Sequence, residues 1–266
     1  MNDPYANINS IKSSIVESIG QRLEQRASQL DQIAMLKKYL KDIPSMIDSN
    51  VLDVGCGTGP VTRFLQRYNP KYIVGIDPSK ILIKSAKNLA KDSSCIQFVN
   101  GDARSIPFDN SSFDVVIFHT ALSHIEKPNL AILEAKRVLK PKGYIAIFDG
   151  DYTSSSVSIS KHDPLQACSS AVTENNVLDR FLVRKLNSLI NSAGFKMERF
   201  RSFGYSEISD PTYMKGHIER GADLLHEQEV IGIELATALK NEVKRRVAID
   251  KFFGYISYAS IVASKQ

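Results

Sequence analysis

Apolar positions recur along this chain in two rhythms, and the switch between them divides it. Over residues 7–40 the spacing is helical, with Ile8, Ile11, Ile15 and Ile19 on one stripe. Ile43-Pro44 interrupts that pattern, and polar Ser49-Asn50 opens a different regime. From there, short and nearly all-apolar runs predict strands at 51–54, 72–76, 96–100, 114–118 and 144–148. Helical spacing falls between them. Residues 79–91 carry Leu82, Ala86, Leu89 and Ala90 on one face. A second helix opens at Pro128, repeats the spacing with Ala131, Ala135, Val138 and Leu139, and stops at Pro141-Lys142-Gly143. Beyond Gly150 the alternation lapses. The Ser-rich stretch 151–171 predicts a loop, followed by a helix at 179–192 ended by Gly194, a strand at 195–203, and helices at 211–220 and 229–246. Ile231, Leu235, Leu239 and Val243 form the stripe of the last helix, and an aromatic, β-rich run at 252–263 closes the chain.

Strands buried on both faces and alternating with helices imply βαβ units. The expected fold is therefore α/β: a doubly wound, seven-stranded, mostly parallel sheet over residues 48–266. N-terminal helices in 1–47 and a helical insertion at about 205–250, before the last strand, lie outside that frame.

Composition narrows the setting. No apolar run approaches the length of a membrane span, and the polar N-terminus lacks a basic-then-apolar secretory pattern, so a cytoplasmic protein without a membrane partner is expected. The net charge is +5 and the pI about 9.0, yet the 34 Lys and Arg are interleaved with 29 acidic residues. Only 240–251 is locally basic, which a solvated helix face explains without nucleic acid. Cys56, Cys95 and Cys168 form no C-x-x-C pair, so neither a disulfide framework nor a zinc site is expected.

Chemistry concentrates at strand ends. Asp53-Val54-Gly55-Cys56-Gly57-Thr58-Gly59-Pro60 ends a buried strand in a glycine turn at which a helix begins, a geometry that lets backbone approach a ligand. Pro60 stands where the dinucleotide fingerprint G-x-G-x-x-G requires glycine. Asp77, before Pro78-Ser79, sits at the tip of the second strand, where a carboxylate can accept bonds from both hydroxyls of a ribose. Asp102-Ala103 ends the third strand, and Phe113-Asp114-Val115-Val116 leads through His119-Thr120 to His124.

The G-x-G-x-G turn behind an Asp-bearing strand resembles motif I of the class I S-adenosylmethionine-dependent methyltransferases. The later segments resemble those of ubiquinone and menaquinone biosynthesis. That resemblance implies S-adenosylmethionine as cofactor, with Asp53, Gly55, Cys56, Gly57 and Gly59 around it and Asp77, Pro78 and Ser79 at its ribose. It places Asp102 and Ala103 at the adenine, His119 and Thr120 beside the methionine part, and His124 toward the substrate. His124, Asp151 and Tyr152 are the candidate bases, and His124 has a purely structural reading as well. Phe148-Asp149-Gly150-Asp151-Tyr152, Asp163-Pro164-Leu165-Gln166, Arg220-Gly221-Ala222-Asp223 and Phe252-Phe253-Gly254-Tyr255 resemble one subgroup of bacterial and fungal methyltransferases.

What is missing points to a small acceptor methylated on O, N or C. The fourth-strand loop lacks the Asn/Asp-Pro-Pro-aromatic signature, no Pro-Cys pair is present, and no RNA-binding module is visible. A non-methylating cyclase or a binding subunit on the same fold is the alternative. The segments 5–40 and 211–246 are expected to meet over the pocket as a lid.

Overall fold

The computed structural model describes residues 3–208 and 211–266. Two helices, α1 (Ser13–Ala27) and α2 (Leu30–Leu40), precede the first strand, β1 (Asn50–Val54). The chain then alternates through α3 (Pro60–Leu65), β2 (Tyr72–Asp77), α4 (Lys80–Leu89), β3 (Ile96–Asn100), β4 (Phe113–His119) and α5 (Pro128–Val138). After β5 (Leu139–Ser156) come α6 (Leu165–Asn176), α7 (Leu182–Ser192) and β6 (Phe195–Glu207). Finally α8 (Tyr213–Glu227) and α9 (Ile233–Ala248) intervene before β7 (Gly254–Lys265).

The strands form one seven-stranded sheet in the order β3-β2-β1-β4-β5-β7-β6. Pairings from β3 to β5 are parallel, and β7 runs antiparallel to both β5 and β6. Strand periodicity explains the all-apolar runs. In β4, Val115 and Ile117 join the core on one face while Val116 and Phe118 join the other. The first face is covered by α2, α3, α6, α8 and α9, and the second by α5 and α7. Strand order reverses between β1 and β4, so a crevice opens at their carboxyl ends, where open α/β sheets bind ligands.

Several boundaries correct the sequence reading. The helix expected over 7–40 is two helices, and residues 4–11 are turns fixed by Asp3, whose Oδ1 accepts from Tyr5 N–H at 2.8 Å. Ile8 and Ile11 therefore fall out of phase with α1, Ile15 is 43% exposed, and the inward stripe is Val16, Ile19 and Gly20. In α4 the buried set is Leu82, Ile83 and Ala86, and Leu89 is exposed.

The serine-rich stretch is a loop only over residues 157–164. Before them it continues β5 to Ser156, where polar groups are satisfied across the sheet (Ser154 Oγ accepts from Ser257 N–H at 2.8 Å), and after them it forms α6. Hydropathy cannot register such bonds. In α9 the stripe is Ala236, Leu239, Val243 and Arg246, with Leu235 half exposed. Arg246 is not part of a solvated basic face. It is buried and bonds both oxygens of Asp163, at 2.5 and 2.9 Å, while Lys240 and Arg245 pair with Asp223 and Glu242.

Candidate active site

The glycine turn after β1 is shaped by conformation and by close approach. Gly57 and Gly59 have φ of +56° and +79°, in the left-handed region that L side chains avoid. A Cβ on Gly59 would lie 2.4 Å from the Phe98 ring, which is why glycine stands there. Gly57 N–H donates to Asp77 Oδ2 at 2.9 Å, and Ser79 N–H donates to Oδ1 at 2.8 Å. The tip of β2 is thereby locked to the turn after β1. Burial raises the Asp77 carboxyl to about 6 against those two bonds. Burial likewise raises Asp53 to about 7, although Thr62 Oγ1 donates to it at 2.6 Å.

These residues wall a cavity of about 600 Å³ at the switch point, within the roughly 300–1,000 Å³ usual for small-molecule sites. Asp53, Gly55, Cys56, Gly57, Asp77, Pro78, Asp102, Ala103, His119, Thr120, His124 and Tyr152 all line it. Three expected residues do not. Gly59 packs on Phe98, and Ser79 caps α4 by accepting from Leu82 N–H at 3.3 Å. Asp151 is turned to Thr153 and Arg184 instead, accepting from Thr153 Oγ1 at 2.5 Å and from Arg184 Nη2 at 3.2 Å.

The titratable side chains around the cavity differ sharply. His119 is half-buried, stacked on Phe148 at 4.8 Å and hydrogen-bonded through Nδ1 to the Tyr39 hydroxyl at 3.0 Å. Burial, followed by the charge of Arg26, lowers its pKa to about 3, so it is a neutral wall residue. Burial pushes the Tyr152 phenol well above its ordinary range, which makes it a hydrogen-bond donor rather than a base. His124 is held through Nδ1 by Asp3 Oδ2 at 2.8 Å, leaving Nε2 without a partner among the described residues. Asp102 Oδ1 accepts from Arg104 N–H at 2.8 Å, and its carboxylate pairs with the Arg104 guanidinium at 2.7 Å. Those bonds to Arg104 hold its pKa below the usual carboxylate range.

Sequence reasoning missed the residues that close the site. Asp3 joins the N-terminal turns to His124 and also accepts from Leu178 N–H at 2.9 Å. Buried Asp149 accepts from Ser123 N–H and Oγ at 3.1 and 2.9 Å, fixing the loop that carries His124. Arg22 and Arg26 from α1 and Tyr213, His217 and Arg220 from α8 line the same cavity. The i, i+4 spacing of Arg22 and Arg26 was visible, but nothing in the sequence says which face of α1 meets the pocket. Thr120 has φ of +51°, unusual for a β-branched residue, and its Oγ1 accepts from Arg26 Nη2 at 2.6 Å.

Residues 52–147 match the family described as methyltransferase domain. This stretch of the chain is similar to that family. An uncharacterized methyltransferase of Schizosaccharomyces pombe is 30% identical over 162 residues, 58% of this chain and 54% of that protein. The demethylmenaquinone methyltransferase of Staphylococcus haemolyticus is 29% identical over 53% of this chain and 63% of its own length. The chain thus spans little more than half to just under two thirds of these two relatives. Among solved structures, a candidate methyltransferase of Bacillus halodurans shares the fold with a TM-score of 0.62 at 19% identity, covering 86% of this chain and 98% of that one.

The chemistry of this cavity suits a nucleoside. A buried carboxylate at its wall, Asp77, uses one acceptor position on each oxygen for backbone and keeps others for hydroxyls. The turn beside it, at Gly55 and Gly57, carries no side chain to bar a ligand.

Proposed function

We propose that the protein is an S-adenosylmethionine-dependent methyltransferase acting on a small molecule. The observation that carries this reading is Asp77, gripped by the glycine turn at a cavity that also holds Asp102. In this reading Asp77 accepts the ribose hydroxyls, with Asp53, Gly55, Cys56, Gly57 and Pro78 beside it. Asp102 and Ala103 border the adenine, and His119 and Thr120 the methionine portion. When bound, the donor supplies a methyl group already activated on a sulfonium.

The chain's own task is then alignment, dryness and proton handling. Aligning an acceptor atom behind the methyl carbon at roughly 3–3.5 Å supplies most of the rate. The N-terminal turns and α1 on one side, and α8 on the other, form the lid that excludes water. Gln29 Nε2 donates to Thr212 Oγ1 at 2.7 Å between them, which supports that reading. Where the acceptor must lose a proton, Nε2 of His124 takes it, with Asp3 setting the imidazole's tautomer. The reaction is cytoplasmic in this account, in keeping with three unpaired cysteines. Among the described residues no helix is long and apolar enough to cross a membrane, and we assign no nucleic-acid substrate.

Incubation with S-adenosylmethionine and a panel of phenols, amines and carboxylic acids, read as formation of S-adenosylhomocysteine, tests the proposal. Replacing His124 by Asn should cut kcat by about 10²–10⁴ for an acceptor that must be deprotonated, while leaving product binding unchanged. A wild-type protein that binds neither donor nor product in calorimetry would overturn the reading. Donor bound but never consumed would favour a cyclase or a binding subunit.

A further inference from the structure

The cavity is charged unequally. On the strand side it presents Asp53, Asp77 and Asp102, but on the helix side it presents three arginines, Arg22, Arg26 and Arg220. Among the described residues none of the three has a carboxylate within 4.0 Å. Arg22 Nη1 donates to Ser18 Oγ at 2.7 Å and Arg26 to Thr120 Oγ1, both neutral acceptors, and Arg220 has no side-chain hydrogen bond among the described residues. Glu219, the acidic neighbour of Arg220 in sequence, is paired with Lys215 at 3.8 Å. Arginines elsewhere are treated differently: Arg63, Arg201 and Arg246 each meet a carboxylate at 2.5–2.7 Å.

Guanidinium groups lining a recess without a counter-ion are costly, and they repel one another. Burial, and after it the charge of Arg22, lowers the pKa of Arg220 below that of a free guanidinium. Such an arrangement is retained where a ligand brings the missing charge. The donor cannot bring enough. Its methionine end has one carboxylate, sufficient for one arginine, and its sulfonium adds a positive charge. The remaining negative charge must come from the acceptor. Tyr5, Tyr152 and Tyr213 line the same cavity, and phenol donors there can complete the shell of an oxyanion.

We propose that the acceptor is an anion whose carboxylate or phosphate is held by Arg22 and Arg220, between α1 and α8. This rests on the methyltransferase reading and names its substrate class. The α8 guanidinium reaches the anion from the lid, so acceptor binding draws the insertion onto the N-terminal helix. Transfer to an atom elsewhere on the acceptor leaves the anchoring oxyanion unchanged, so anchor and reacting atom are separate groups of one molecule.

Calorimetric titration of the full chain saturated with S-adenosylhomocysteine tests the assignment, with benzoate, phenyl phosphate and the neutral isostere benzamide as probes. We expect at least one anion to bind about 10-fold or more tightly than benzamide, and the stronger of the two identifies the anchoring group. Arg220→Gln should abolish that preference while product affinity stays within about 2-fold, and Arg22→Gln, on a different helix, should do the same. Equal binding of all three probes by product-saturated protein would overturn the proposal, as would full anion preference in both variants. Should S-adenosylhomocysteine fail to bind the wild type, the methyltransferase reading falls by itself. Arg220-dependent anion binding by the free protein would then still support the charge site, and its absence would refute it.

Discussion

The two walls of the cavity are built by opposite strategies. The strand side comes from contiguous motifs: Gly57 N–H of the glycine turn donates to Asp77 at 2.9 Å and Ser79 N–H donates to it at 2.8 Å, and their geometry follows from where β1 and β2 end. The helix side is assembled from distant segments. Asp3 reaches His124, Arg26 reaches Thr120, and Gln29 reaches Thr212, over separations of 94 to 183 residues. One wall is rigid and acidic, the other jointed and basic. In the proposed reading the donor is served by the local motif, and the acceptor by segments brought together from distant parts of the chain.

Breaking the buried ion pair that ties α9 to the segment before α6 should have the largest effect. Arg246→Ala leaves the buried Asp163 carboxylate without its bidentate partner, and we expect a loss of about 3–5 kcal/mol in denaturant unfolding. If the two walls are independent, product affinity per folded molecule should change little. Next comes the strand side: Asp77→Ala should weaken donor binding by about 1.5–3 kcal/mol in calorimetry, with the fold preserved because the residue sits at a strand tip. Wild-type affinity in a folded variant would remove the ribose assignment.

The acidic wall should also show in pH dependence. Ribose hydroxyls donate to the ionised carboxylate, so donor affinity should rise as pH passes through about 6 and level off above it. In the free protein the sign is reversed. The folded pKa is raised above the ordinary 3.8, so this group's contribution to stability is present below about 3.8 and is lost as pH rises through about 6. Asp77→Asn should remove that part of the binding profile, and Asp53, raised to about 7 by burial, should leave a slope of its own near pH 7. The smallest effect concerns Asp102. Asn keeps an acceptor oxygen, so Asp102→Asn should cost less donor affinity than Asp102→Ala. Equal losses would mark it as a former of the Arg104 turn alone.

The strands over 51–148 and the glycine turn were legible because their burial and backbone needs are local. A run such as Val115–Phe118 must be apolar if both faces of the sheet are covered, and a left-handed φ at Gly57 leaves few residues to choose from. The register of the C-terminal strands was less legible, since the serines of β5 are satisfied by β7, about a hundred residues later in the chain. The site itself divides in the same way. Sequence alone determined a doubly wound sheet, a donor-type turn and the acids at its strand tips. Tertiary structure alone decided that Asp151 turns away to Arg184, that Asp3 holds His124, and that three arginines without carboxylate partners among the described residues share one cavity. A motif records what the backbone must do within a few residues. Which side chains meet across a cavity depends on how separate helices dock, and that is set by the summed packing of both cores rather than by any one stretch of chain.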